Sequence, residues 1–133
     1  MRDANNVCHI AIPCKDIEET KHFYNKLLAC KICREYDDRV TIDFFGDQLV
    51  CHLDPTKVLT APEMYPRHFG ITFKDRKSFD DVRNMAIQRE IAFFKKEFVR
   101  FKGAAEEHLT FFLMDPSNNL IEFKYYYDPR FMY

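Results

Sequence analysis

Alternating and helically spaced apolar residues divide the chain into two similar halves. VCHIAIPC (7–14) is rich in β-branched residues and predicts a strand. Asp16-Ile-Glu-Glu19 has the form of a capping box, with acidic residues in the first turn. Phe23/Leu27 and Tyr24/Leu28 fall at i,i+4, so the spacing predicts an amphipathic helix over 16–29. KICREY (31–36), RVTIDFF (39–45) and QLVCHL (48–53) predict three short strands, with Gly46-Asp47 as the tight turn between the last two. A connector over 55–66 carries Pro55, Pro62 and Pro66.

The same order then returns. HFGITF (68–73) predicts a strand. Ser78-x-x-Asp81 predicts the cap of a helix with Phe79, Val82, Met85 and Ala86 on its apolar face. AFFKKEF (92–98) predicts a strand, residues 101–107 a loop around Gly103, and LTFFLM (109–114) with NLIEFKYYY (119–127) a hairpin around DPSNN. The reading is βαβββ–βαβββ, an α+β fold. It predicts a single domain over 1–133 made of two repeats, about 7–54 and 66–127. His9-x-x-Ile12-x-x-Lys15-Asp16 recurs as His68-x-x-Ile71-x-x-Lys74-Asp75, and Gln48-Leu-Val-Cys-His52 lines up with Asn118-Asn-Leu-Ile-Glu122. Shared residues as well as shared element order indicate an internal duplication.

Composition narrows the function. The 133 residues are 47% apolar and 31% charged, enough for a core and a solvated surface. A net charge of −1 lacks the basic footprint of a nucleic-acid binder. No apolar run approaches a membrane span, and the start MRDANN shows no signal-peptide core, so a cytoplasmic location is expected. Five cysteines at 8, 14, 30, 33 and 51 form no even set, and one CxxC (Cys30, Cys33) without a second pair reads as reduced structural thiols. Three glycines leave no phosphate-binding loop.

The candidate chemistry lies in the repeat. His9 and His68 open the first strand of each half, while His52 and Glu122 lie on the last strand of each. Imidazole and carboxylate donors suit Fe(II), Ni, Co, Zn or Mn. His52 is either a fourth ligand or a pocket residue. A turn at Gly46-Asp47 puts Thr41 opposite His52, with Asp43 and Arg39 on that polar face and Val40, Ile42 and Phe44 on the apolar one. A five-residue DPSNN loop pairs Phe112 with Glu122 and puts Thr110 and His108 on the same face. His108 then lies in the cavity or at its rim. Lys95, Lys96, Arg100 and Lys102 form a basic run that is either a solvated face or a substrate contact.

The stretches HIAIPCKDIEETKHFYNKLL, HFGITFKD and DPSNNLIEF, spread over about residues 7–127, resemble the vicinal oxygen chelate superfamily. That superfamily includes glyoxalase I, bleomycin-resistance proteins, fosfomycin-resistance proteins and extradiol dioxygenases. The resemblance implies paired βαβββ modules forming a half-open barrel around a divalent metal. It implies His9, His68 and Glu122 as shared ligands and His52 at the place of the second glutamate ligand of glyoxalase I. It also implies a homodimer acting on a small-molecule substrate. Specificity residues differ: Phe112 stands where extradiol dioxygenases have a tyrosine, and Ala11 where the fosfomycin enzymes have a threonine. The expected activity is metal-dependent lyase or isomerase chemistry on a small oxygenated substrate, with Glu122, His52 and His108 as catalytic candidates and Thr41, Asp43, Thr110 and Phe112 lining the pocket. The alternatives are an Fe(II)-dependent ring-cleaving dioxygenase and a non-catalytic, bleomycin-resistance-like binding protein.

Overall fold

The computed structural model describes residues 5–133. In chain order the elements are β1 (His9–Cys14), α1 (Ile17–Lys21), β2 (Lys31–Glu35), β3 (Arg39–Phe44), β4 (Asp47–Leu53), β5 (Phe69–Phe73), α2 (Arg76–Gln88), β6 (Phe93–Arg100), β7 (His108–Met114) and β8 (Leu120–Tyr126). They form two four-stranded mixed sheets, ordered β1-β4-β3-β2 and β5-β8-β7-β6, neither closed into a barrel. In each, the first strand pairs in parallel with the last, and the remaining pairs are antiparallel. The chain separates into two compact units. One ends at Ala61 and also takes in Pro116–Asn119; the other comprises Pro62–Asp115 and Leu120–Tyr133. Among the described residues, no helix is long and apolar enough to cross a membrane.

Two local expectations change. The predicted helix over 16–29 is α-helical only to Lys21 and continues as a π-helical turn, His22–Leu27. The wider turn lets Leu28 N donate to Phe23 O, and Phe23, Tyr24 and Leu28 are all buried. The second helix is capped by Asp75 rather than Ser78: Asp75 Oδ1 accepts from Ser78 N at 2.8 Å. Asp16 accepts from Glu19 N in the same way, so both caps fall on the Lys-Asp pair of the repeat.

The first hairpin also shifts. Phe45 and Gly46, both at positive φ, form its two-residue turn, and Phe44 pairs with Asp47. Thr41 therefore sits opposite Val50, and Arg39 opposite His52. Moving the turn by one residue moves the pairing by two, so the faces stay as expected. Val40, Ile42 and Phe44 are buried, together with Leu49 and Cys51. In the second unit Phe79 of α2 packs on Phe111, which stacks on Phe123 at 5.1 Å. None of the five cysteines is disulfide-bonded, and burial pushes the Cys30 thiol up to about 12.

Gly70 of β5 lies level with Glu122 of β8, and a Cβ there would fall 1.7 Å from the Glu122 carbonyl oxygen. Gly70→Ala is expected to cost about 3 kcal/mol, read by urea unfolding, because backbone rather than a flexible side chain must move. The Ser78 backbone N–H, then its hydroxyl, hold the Asp75 carboxyl below its ordinary value. A lowered folded-state pKa stabilises above the unfolded value of about 3.9, and that contribution disappears as pH falls through the folded value. Thermal melting should therefore show a smaller acid-induced loss below about pH 4 in Asp75→Ala than in wild type.

Candidate functional site

The second unit brings His68 and Glu122 together. His68 immediately precedes β5 and makes edge-to-face contacts with the rings of Tyr65 and Phe112, each with its centroid 5.5 Å away. Its Nδ1 lies 2.6 Å from the Met64 carbonyl oxygen. A carbonyl only accepts, so Nδ1 carries the hydrogen and Nε2 holds the lone pair of the neutral ring. That Nε2 is 3.1 Å from Glu122 Oε2.

The other carboxylate oxygen, Oε1, accepts from the Thr110 hydroxyl at 2.8 Å, and Lys124 Nζ is 3.4 Å from Oε2. Glu122 is only 4% exposed, so these partners offset the cost of burying its charge. A neutral imidazole nitrogen and a carboxylate both present lone pairs. Their close approach calls for a cation, either a ring proton or a metal ion. Metal–nitrogen and metal–oxygen bonds of about 2.0–2.2 Å, set near a right angle, hold their donor atoms about 3 Å apart. The observed pair fits that spacing.

The first unit repeats half of this arrangement. His9 Nδ1 lies 2.5 Å from Gln48 Oε1, which leaves its Nε2 as the free lone pair. His9, Gln48, Thr41, Val50, Arg39 and His52 line an open cleft of 350 Å³ together with Arg34 and Tyr36. The repeat alignment of His52 with Glu122 does not survive the strand register. Ala11 is level with Val50, as Gly70 is level with Glu122; Pro13 is level with His52, as Thr72 is with Lys124. Val50 is thus the counterpart of Glu122, and His52 the counterpart of Lys124. Motif spacing missed this because the two halves differ in hairpin and loop lengths.

The remaining candidates divide. Phe112 pairs with Glu122 as the five-residue loop predicts, and Thr110 bonds to it. Asp43 accepts from Gly46 N and holds the β3–β4 turn. His108 is buried, with Nδ1 on the Glu106 carbonyl and its ring 4.4 Å from that of Tyr126. It pairs with Tyr126, four residues along β8 from Glu122, roughly 13 Å at strand rise. Among the described residues, no three His, Cys, Asp or Glu side chains gather as a metal-holding group. Sequence reasoning missed Met64, Gln48 and Lys124. Only Lys124 carried a signal, being two residues after Glu122 and so on its face.

The family described as Glyoxalase/Bleomycin resistance protein/Dioxygenase superfamily matches residues 6–123. A solved glyoxalase/bleomycin resistance protein/dioxygenase from Alicyclobacillus acidocaldarius is 56% identical, with 100% of each chain covered and a TM-score of 0.97. Two more distant structures share the fold. A fosfomycin resistance protein from Listeria monocytogenes is 15% identical over 90% of this chain and 92% of its own, with a TM-score of 0.68. A lactoylglutathione lyase from Agrobacterium tumefaciens is 14% identical over the same shares, with a TM-score of 0.67. The search of curated proteins returned no match.

Thr110 is fully buried, and its hydroxyl donates to Glu122 Oε1. Thr110→Val keeps the shape and removes the donor, so it should lower stability by about 2 kcal/mol in urea unfolding at neutral pH.

Proposed function

The chain belongs to the glyoxalase/bleomycin resistance protein/dioxygenase superfamily, and from that premise we propose that it is a metal-dependent enzyme acting on a small oxygenated substrate by lyase- or isomerase-type chemistry. The observation that carries the reading is the His68 Nε2–Glu122 Oε2 approach of 3.1 Å, with Nδ1 already committed to a backbone carbonyl. The resemblance adds His9, whose Nδ1 is committed to Gln48, as the third ligand. In this proposal the protein is a homodimer, as the resemblance implies, and His52 belongs to the pocket rather than the ligand set.

A divalent ion held there would polarise substrate oxygens and favour a developing enolate or oxyanion. The chain's own groups do the rest. Thr110 fixes the Glu122 carboxylate by one oxygen and leaves the other to bind. Tyr65 and Phe112 each pack edge-to-face with the His68 ring and restrict its motion. Lys124, beside Glu122, is a cationic group able to hold or pass a proton at the substrate.

One observation favours a second reading. Val50 stands where a second carboxylate would be, so the donors reduce to two histidines and one carboxylate. That set with open positions suits non-haem Fe(II) and O2-dependent ring cleavage.

Elemental analysis of protein purified without added metal should find about one divalent ion per chain, lost in His68→Ala and Glu122→Gln. No metal in the purified protein, and none taken up on reconstitution, would overturn the enzyme reading in favour of a binding protein. With the native metal identified, substrate turnover with and without O2 separates the two chemistries. Turnover that consumes O2 and stops without it selects ring cleavage.

A further inference from the structure

The first-unit cleft holds two arginines with no carboxylate among its lining residues. Arg34, Arg39 and His52 share it with His9, and Thr41 adds a hydroxyl. This is unexpected in a chain of net charge −1. We propose that the cleft is an oxyanion site, in which Arg34, Arg39 and the Thr41 hydroxyl hold a carboxylate or phosphoryl-type group of the ligand.

The strongest support is how Arg34 comes to be there. β2 pairs with β3 as Lys31–Asp43 and Ile32–Ile42, then as Arg34–Thr41 and Glu35–Val40, with an irregularity between Ile32 and Arg34. In continuous register Arg34 would lie opposite Val40 and share the buried face of the sheet. The extra residue, Cys33, turns Arg34 onto the face of Thr41 and the cleft. Re-aiming one side chain is what a β-bulge does, and such bulges are common beside active sites.

Arg39 is held in place. Its guanidinium lies 4.0 Å from the centroid of the Tyr36 ring, and only Nη1 is bonded to Asp38, at 2.7 Å. The remaining N–H donors are available in a planar fork that matches a carboxylate or a phosphoryl oxygen pair. Arg34 forms no ion pair with a carboxylate among the described residues. Neither arginine lies in the interior, so neither has a core role that explains it.

His9 and Gln48 lie at one end of the cleft, and Arg39 and His52 lie four residues further along β4. That is roughly 13 Å at strand rise. This part of the inference rests on the functional reading above. A substrate whose reacting oxygens meet the His9 donor would place an acidic group at Arg34 and Arg39, which makes it a small organic acid or a phosphoryl compound.

The test titrates full-length, metal-free protein with inorganic phosphate and, separately, with benzoate, following backbone amide shifts by NMR. Saturable shifts at Arg34, Arg39 and Thr41 are expected. Affinity should fall about tenfold in Arg34→Ala. It should be unchanged in Arg130→Ala, an exposed arginine already paired with Asp128. Tighter binding of phosphate assigns a phosphoryl-type group, and tighter binding of benzoate a carboxylate. No saturable binding of either probe, or equal loss in both variants, overturns the proposal. Metal content measured on Arg34→Ala separates the readings: unchanged metal with lost anion binding supports the oxyanion site independently of the metal donors. Anion binding that persists in a protein unable to take up metal retains the site and overturns only its placement in that reaction.

Discussion

Each unit is tied together by a parallel pairing between its first strand and its last, and the candidate functional groups depend on it. The pairing joins His9 to Gln48 in one unit and sets Gly70 beside Glu122 in the other. Such pairs are distant in sequence, so they are made at the cost of closing long loops. In return they place a histidine at the start of one strand beside a polar group on another. In the second unit the approach leaves no room for a Cβ at Gly70. Strand spacing, rather than side-chain flexibility, thus sets where Glu122 stands relative to His68.

On that frame the electrostatics are divided between the units. The second unit buries a carboxylate and surrounds it with a hydroxyl, an imidazole and an ammonium group. The first carries arginines and histidines on an open face. A buried anion must be compensated within the protein, whereas exposed cations remain solvated until a ligand arrives. The duplication therefore supplied two copies of one scaffold, and their functional faces became chemically different.

Both histidines that open the modules engage Nδ1 with an oxygen acceptor, a side-chain amide in one case and a backbone carbonyl in the other. The different partners lead to the same result, an Nε2 that can bind. The backbone carbonyl comes from the proline-containing connector, a segment whose composition gave no hint of a role at the site.

Local chemistry determined most of the secondary structure. The period-two and i,i+4 patterns, the Asp16 cap and the repeated His-x-x-Ile-x-x-Lys-Asp stretch were all readable, because each depends on residues within a few positions. The duplicated order and its family resemblance followed from them, and so did the placing of Thr110 and Phe112 beside Glu122, though not that of Lys124. The hairpin and strand registers were less accessible. Whether Phe45 or Asp47 enters a two-residue turn depends on a small difference in backbone preference, yet it shifts every cross-strand pair. The parallel pairing of first and last strands is likewise a matter of register, and it makes Val50, not His52, the counterpart of Glu122. The bulge that turns Arg34 toward the cleft, and the carbonyl that orients His68, come from residues brought together only by folding. Sequence alone determined which groups were available and on which face; the tertiary structure decided which of them stand level, because level is fixed by hydrogen-bond register across strands.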